Sequence, residues 1–372
     1  MIYITLIFYL IIGIYGNKVN NKRKKYILSI LYVLPMFILT ALRDINVGPD
    51  TINYYNTFYG ISYSDSVAEA IRNSRLESGY VILNYFISHL GMSYFAFQII
   101  VSIFIYYSLI KFVTTYSLNI GLSYFLFWIN FQAFGTMNQV RMRIAIMIVI
   151  RSTKYLISRD LIKFIITILI ASQIHLSALI FLIMYPLSQK EINRKNMIIV
   201  IFISILVRIF FLPIMTYLTT TLNIYETYLT EVRLEKNRIS LVLGLAVNVL
   251  YLLFILFTDN GNIKKDRITK YSNLELSSDY NVSIYRISFW ALVVMIGFSI
   301  IGLTFNMVGR LMHFFSIYLL IIIPIGFDNI INENNKVVLK YLMFLILTIQ
   351  FIVIMIYRPE WYQVSNYQFF LS

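Results

Sequence analysis

Apolar runs recur along the whole chain, separated by short polar stretches. A helix needs roughly 17–25 apolar residues to cross a bilayer. Measured against that length, the runs predict an all-α polytopic membrane protein with about eleven transmembrane helices. The first run, "MIYITLIFYLIIGIYG", has no basic residues ahead of it; its charges follow, as "KVNNKRKK". It therefore reads as a first span and not as a cleaved leader. Further spans are expected at about 26–42, 93–114, 121–134 and from 140, then at about 196–212, 239–257, 284–305, 311–327 and 337–357. "GTMNQ" is expected to be a short outer turn between two of them.

Two segments depart from the pattern. "GYVILNYFISHLG" is too short to span and is expected to lie in the interface or line a cavity. The stretch 164–187 has the length of one crossing, yet Lys154, Arg159 and Lys163 precede it and Lys190, Arg194 and Lys195 follow it. Basic residues mark cytoplasmic loops, so both ends belong on one side. A re-entrant pair of half-helices, broken near "SQIHLS", satisfies this and brings His175 toward the outer half of the membrane. Backbone that leaves helical geometry at such a depth must line a cavity or be buried in protein.

The same charge rule places Lys18, Lys22, Arg23, Lys24 and Lys25 in the cytoplasm. Outer loops then cover 43–78 and 213–238, and a cytoplasmic loop covers 259–283, within a single integral membrane domain over 1–372. Repeats are not evident, nor is the matched pair of broken helices that marks many secondary transporters.

Composition agrees. Hydrophobic residues make up 59% of the chain and charged residues 13%, against about 25% charged in soluble domains. The formal charge of +14 comes from positives scattered between apolar runs, which excludes a nucleic-acid stripe. The absence of cysteine excludes disulfides, thiolate catalysis and Cys-based metal sites.

The ionisable residues in or beside outer membrane segments are Arg43, Asp44, Asp50, Glu77, Arg141, Arg143, His175 and Arg310. Charges there are costly and usually face a cavity or a partner. Several arginines with carboxylates and an imidazole suit an anionic lipid-linked substrate, because guanidinium donors match phosphate oxygens. Each residue also has an ordinary structural reading. Arg43 and Asp44 can form a salt-bridged span terminus, and Gly48-Pro49 a simple turn. Glu77 can be a solvated loop end, His175 a packing residue and Arg310 an interfacial one. Arg141 and Arg143 lie two apart and point in different directions on a helix, so only one is expected to face the pocket.

Four stretches carry a family resemblance: "LRDINVGPDTINYYNTF" (42–58), "ESGYVILNYF" (77–86), "NQVRMRIAIMIVIRSTKYLISRDLIKFIITILIASQIHLSALIFLIMYPL" (138–187) and "GRLMHFFSIYLLIIIP" (309–324). The chain resembles the EpsG branch of the bacterial repeat-unit polysaccharide polymerases, the Wzy type. Where that family often has Gln after its central Arg, this chain has Met142, which leaves open whether Arg141 or Arg143 is the functional one.

The resemblance implies a glycosyltransferase-C-like membrane fold with an active site on the outer face of the bacterial cytoplasmic membrane. The implied substrates are oligosaccharide repeats carried on undecaprenyl diphosphate, handled among membrane lipid alongside flippase and chain-length regulator proteins. Asp50, Glu77 and His175 become the candidate catalytic groups, and Arg43, Arg141, Arg143 and Arg310 the candidate diphosphate ligands. Asp44, expected to orient Arg43, joins Tyr54, Tyr80 and Asn138 as support. Arginines can neutralise a diphosphate alone, so neither a metal nor a cofactor is required. The competing readings are another lipid-dependent glycosyltransferase or glycan ligase, and a flippase for lipid-linked oligosaccharide.

Overall fold

A computed structural model describes residues 1–16, 18–222, 239–259, 278–364 and 367–370. The described residues are helical apart from turns and one isolated bridge between Arg43 and Phe369. Two compact units divide the chain, one formed by 1–182 with 330–372 and the other by 183–329.

In the first unit, α1 (Ile2–Tyr15), α2 (Lys22–Ala41), α3 (Thr51–Ser62), α4 (Val67–Asn73), α5 (Ser78–His89) and α6 (Tyr94–Tyr116) lead into α7 (Ile120–Ile129), α8 (Gln132–Asn138) and α9 (Val140–Val149). Then come α10 (Thr153–Ser158), α11 (Leu161–Ser172) and a 3-10 helix, Leu176–Ile183. The polar stretches supply the caps. Asn21 accepts from the Lys24 N–H at 2.9 Å, Ser93 from Ala96 at 3.3 Å and Asn119 from Leu122 at 3.0 Å. Each satisfies a donor that a helix N-terminus leaves orphaned.

Helix α1 packs on α7, α2 on α6, and α9 on both α6 and α11. Helices α3 and α4 lie in the predicted outer loop and pack on α5. The segment 330–372 adds the helix Glu333–Tyr357, whose Phe344 stacks on Phe125 at 4.0 Å.

The second unit holds α12 (Met184–Gln189), α13 (Arg194–Leu222), α14 (Ile239–Thr258) and α15 (Ser278–Gly302). Short turns at Asn306–Gly309, Arg310–Met312 and His313–Ser316 follow, then α16 (Leu319–Asn329). Of the predicted loops, 213–222 continues α13 and 278–283 opens α15; 223–238 and 260–277 lie outside the described residues.

Among the described residues six helices are long and apolar enough to span a bilayer, or seven if Met307–Ser316 and Leu319–Asn329, bent by 53°, form one broken span. The chain is a multi-pass membrane protein. The other apolar runs fall in shorter helices: α1, α7, α11 and the stretch Leu176–Gln189.

One expected span shows why. Helix α7 stops at Ile129, and Phe131 takes a left-handed conformation with φ of 58°. There the Asn130 side chain donates to the Leu126 carbonyl at 3.0 Å, a local bond that competes with the helix ladder. "GTMN" is therefore helical, as the end of α8, and the predicted turn contracts to Gln139.

Candidate active site

Glu77 precedes α5 in extended conformation, with φ of −61° and ψ of 138°. Its carboxylate leaves its own helix and reaches two distant segments. Oε2 accepts from Arg141 Nη1 at 2.6 Å. Oε1 accepts from the Leu176 N–H at 3.0 Å and lies 3.2 Å from His175 Nδ1.

The Leu176 N–H is one of the orphaned donors at the start of the 3-10 helix, so Glu77 caps that helix from 99 positions away. The break that creates this terminus lies within "SQIHLS": α11 ends at Ser172, and the helix resumes at Leu176. Two contacts dock α5 against the break. The Tyr80 N–H donates to the Gln173 carbonyl at 3.2 Å, and the Ser78 hydroxyl to Gln173 Oε1 at 2.8 Å.

The electrostatics follow from these bonds. Burial opposes ionisation of Glu77, but hydrogen bonds from His175 and the Leu176 N–H, with the Arg141 charge, outweigh it and hold its pKa at about 2. An ionised carboxylate only accepts, so the His175 nitrogen facing it, Nδ1, carries the proton. In the neutral imidazole the lone pair then lies on Nε2. Arg141 lies over the Tyr80 ring at 5.9 Å, within cation–π range. Tyr80 in turn meets Tyr54 edge-on at 6.2 Å, and Tyr54 lies close enough to Arg141 to interact with its charge.

An imidazole oriented by a carboxylate, next to a guanidinium that keeps donors beyond Nη1, has the chemistry to accept a proton beside a bound anion. The side chains of Glu77, Arg141 and His175 are 19%, 25% and 24% exposed, so the cluster is not sealed inside the protein.

The EpsG family model matches residues 25–369, nearly the whole chain. The chain belongs to the EpsG family. Membership points to polymerase- or glycosyltransferase-like chemistry on polysaccharide repeat units. No match was found among curated proteins or among solved structures.

In this EpsG-family chain the other predicted site residues are distributed differently. Arg43 is 2% exposed; its guanidinium donates to the Thr40 carbonyl and, at 3.2 Å, to the Met137 carbonyl. Asp44 does not orient it. The Asp44 carboxylate instead accepts from the backbone and side-chain amides of Asn46, at 3.0 and 2.8 Å, and closes its own turn. Around this pair the C-terminal segment pairs with the chain. The Asp44 N–H donates to the Gln368 carbonyl and the Phe370 N–H to the Leu42 carbonyl. Asn138 reaches the Trp361 and Tyr362 carbonyls at 3.4 Å.

Arg143 is 1% exposed, and its guanidinium lies in the space left by the missing side chain of Gly135. The two-residue offset thus sends Arg141 to Glu77 and Arg143 into the core. Asp50 immediately precedes α3, close enough to influence Tyr54 electrostatically. Arg310, exposed, belongs to the second unit.

Sequence reasoning missed Gln173, Ser78 and the Leu176 N–H. Gly79, inside the Glu-x-Gly-Tyr element, was the available signal: its missing side chain allows the approach of Gln173.

Proposed function

We propose that the protein joins undecaprenyl-diphosphate-linked oligosaccharide repeats into a surface polysaccharide at the outer face of the cytoplasmic membrane. The observation that carries this reading is the convergence of Arg141 and His175 on the single carboxylate of Glu77. The growing glycan, bonded through its anomeric carbon to the lipid diphosphate, is the donor. A hydroxyl of the incoming repeat is the acceptor.

The acceptor oxygen forms a bond to the anomeric carbon while the bond from that carbon to the diphosphate oxygen breaks. The electron pair departs with undecaprenyl diphosphate, and the hydroxyl proton passes to His175 Nε2. Glu77, held ionised, is too weak a base for that proton near neutral pH and acts as the positioning residue for His175 and Arg141. Arg141 stabilises the charge that develops on the leaving diphosphate. A single displacement of this kind inverts the anomeric centre.

The same proposal includes a glycosyltransferase-C-like arrangement in which the short apolar helices complete the crossings expected from hydropathy. It also includes the outward orientation of the Glu77 cluster.

The test is elongation by purified protein supplied with its lipid-linked repeat. Wild type should give a ladder of chain lengths. His175→Ala should slow elongation by about 10²–10⁴-fold, the usual cost of a lost general base, and leave single repeats. An undiminished ladder from His175→Ala would remove the imidazole from the chemistry.

A further inference from the structure

The residues after the helix Glu333–Tyr357 form a strap across the first unit. A 3-10 turn, Pro359–Trp361, opens it. Tyr362 stacks on Phe131 at 4.7 Å and tilts against Phe134 at 5.5 Å, Val364 is fully buried, and Phe370 stacks on Phe95 at 3.9 Å. The Tyr367 hydroxyl donates to the Leu39 carbonyl at 2.8 Å, near the end of α2. Aromatic pairs stabilise beyond the area they bury, so the strap is anchored by its own side chains.

Its backbone serves two other segments. Phe369 faces Arg43 in the antiparallel bridge. Bonds from the Asp44 N–H to the Gln368 carbonyl at 3.0 Å and from the Phe370 N–H to the Leu42 carbonyl at 2.9 Å flank it. The Gly48 N–H donates to the Gln363 carbonyl at 3.3 Å, and the Trp361 and Tyr362 carbonyls face the Asn138 amide. Gly48 and Asn138 also touch: Gly48 has φ of 91°, and a Cβ there would run into Asn138 Oδ1. Two residues with side chains hold left-handed backbone around this junction, Phe131 with φ of 58° and Gln363 with φ of 47°. Such conformations persist where the surrounding structure over-determines them.

Gly48 and Asn138 stand at the entrances to two helices of the site. The Gly48 turn leads into α3, where the buried Thr51 hydroxyl donates to the Val47 carbonyl at 2.6 Å and Tyr54 follows. Asn138 ends α8, and α9 carries Arg141 in its first turn. Tyr54 and Arg141 then meet beside Tyr80 and Glu77.

We propose that the strap, residues 359–364 with 367–370, is a positioning element for the Glu77–Arg141–His175 cluster. By holding the Gly48 turn against Asn138 it fixes the spacing between the starts of α3 and α9, and so the place where Tyr54 meets Arg141. It acts through Arg141 and not by contact with substrate. Its effect on elongation rests on the polymerase reading; its effect on geometry does not.

The test deletes residues 359–372 and supplies them again as a synthetic peptide. Spin labels at Asn56→Cys and Ile170→Cys, exposed positions on α3 and α11 in a chain with no other cysteine, report the geometry by double electron–electron resonance. The full chain should give one narrow distance distribution. The deletion should broaden it, and the peptide should narrow it again. In the elongation assay the deletion should lower kcat about 10²-fold, the cost of misplacing a site group by about 1 Å, with KM changed less than about threefold. The peptide should recover kcat. Tyr362→Ala, which loses the stack, should lower kcat in the same direction, whereas Tyr362→Phe, which keeps it, should not. These two variants decide the matter where the deletion fails to insert.

An unchanged distance distribution after deletion, or a raised KM with kcat preserved, would overturn the proposal. So would a loss of elongation in Tyr362→Ala that only follows the unfolded fraction in its melting curve, the behaviour of ordinary packing. Distances are read without substrate, so a wild type that never elongates repeats would count against the polymerase reading alone.

Discussion

A Cβ built on Gly79 would lie 2.7 Å from the carbonyl oxygen of Gln173. That carbonyl also accepts the Tyr80 N–H, so the start of α5 rests directly on the break after α11. The contact brings the residue before α5, Glu77, to His175 and to the Leu176 N–H.

Gly79→Ala should therefore push α5 off the break. We expect a loss of about 1–3 kcal/mol of stability, the usual cost of overpacking. Elongation should fall by about 10²-fold, as a shift near 1 Å at a reacting group does. Gly60→Ala on α3, where nothing lies within 4 Å of the added Cβ, is the matched control and should leave elongation unchanged while keeping or slightly raising stability. Thermal unfolding in detergent and the elongation assay check both variants.

The Glu77 pKa of about 2, against 4.5 unperturbed, makes a stability prediction with a defined sign. A depressed carboxylate stabilises the fold fully above its unfolded pKa and loses that contribution as pH falls through its folded value. The stability gap between wild type and Glu77→Gln should be constant from neutral pH down to about 4.5, then narrow toward pH 2. Melting curves across that range decide it; a gap that closes already between pH 7 and 5 would contradict the assigned bonds.

Arg141 and Arg143 should separate cleanly. Arg141→Met removes the ligand of Glu77 and should abolish elongation while the protein still inserts. Arg143→Met replaces a guanidinium whose Nε and Nη1 are buried without partners. Burying such groups is unfavourable, so this variant should keep or raise its melting temperature and retain the ladder. Loss of elongation in Arg143→Met would return that residue to the site.

Arg43 should behave as a structural residue. Replacing it with Met leaves two buried carbonyls, of Thr40 and Met137, without their charged donor. Hydrogen bonds to charged groups contribute about 1.5–3 kcal/mol each, so a melting-temperature drop should accompany any loss of activity. Activity lost at unchanged stability would argue for contact with substrate.

Orientation has a direct test because the chain contains no cysteine. A Cys placed at 175 should react with a membrane-impermeant thiol reagent added outside intact cells. Reaction only after the cytoplasmic side is opened would overturn the outward-facing site.

The sequence by itself determined that this chain is a helical, multi-pass membrane protein. Hydropathy is additive along the chain and needs no knowledge of contacts. It also located the short α5 and the break near "SQIHLS", because length and flanking charge are local properties. The resemblance carried by "LRDINVGPD", "ESGY" and the Arg141–His175 stretch identified the EpsG family, whose model covers 25–369.

Only tertiary structure decided which charges meet. Arg43 and Asp44 are adjacent, yet their side chains diverge to the core and to a turn. Glu77, Arg141 and His175 lie far apart in the sequence and share one carboxylate. The physical reason is the same in each case. A buried charge takes whatever partner lowers its desolvation cost, and that partner is chosen by packing, not by proximity along the chain.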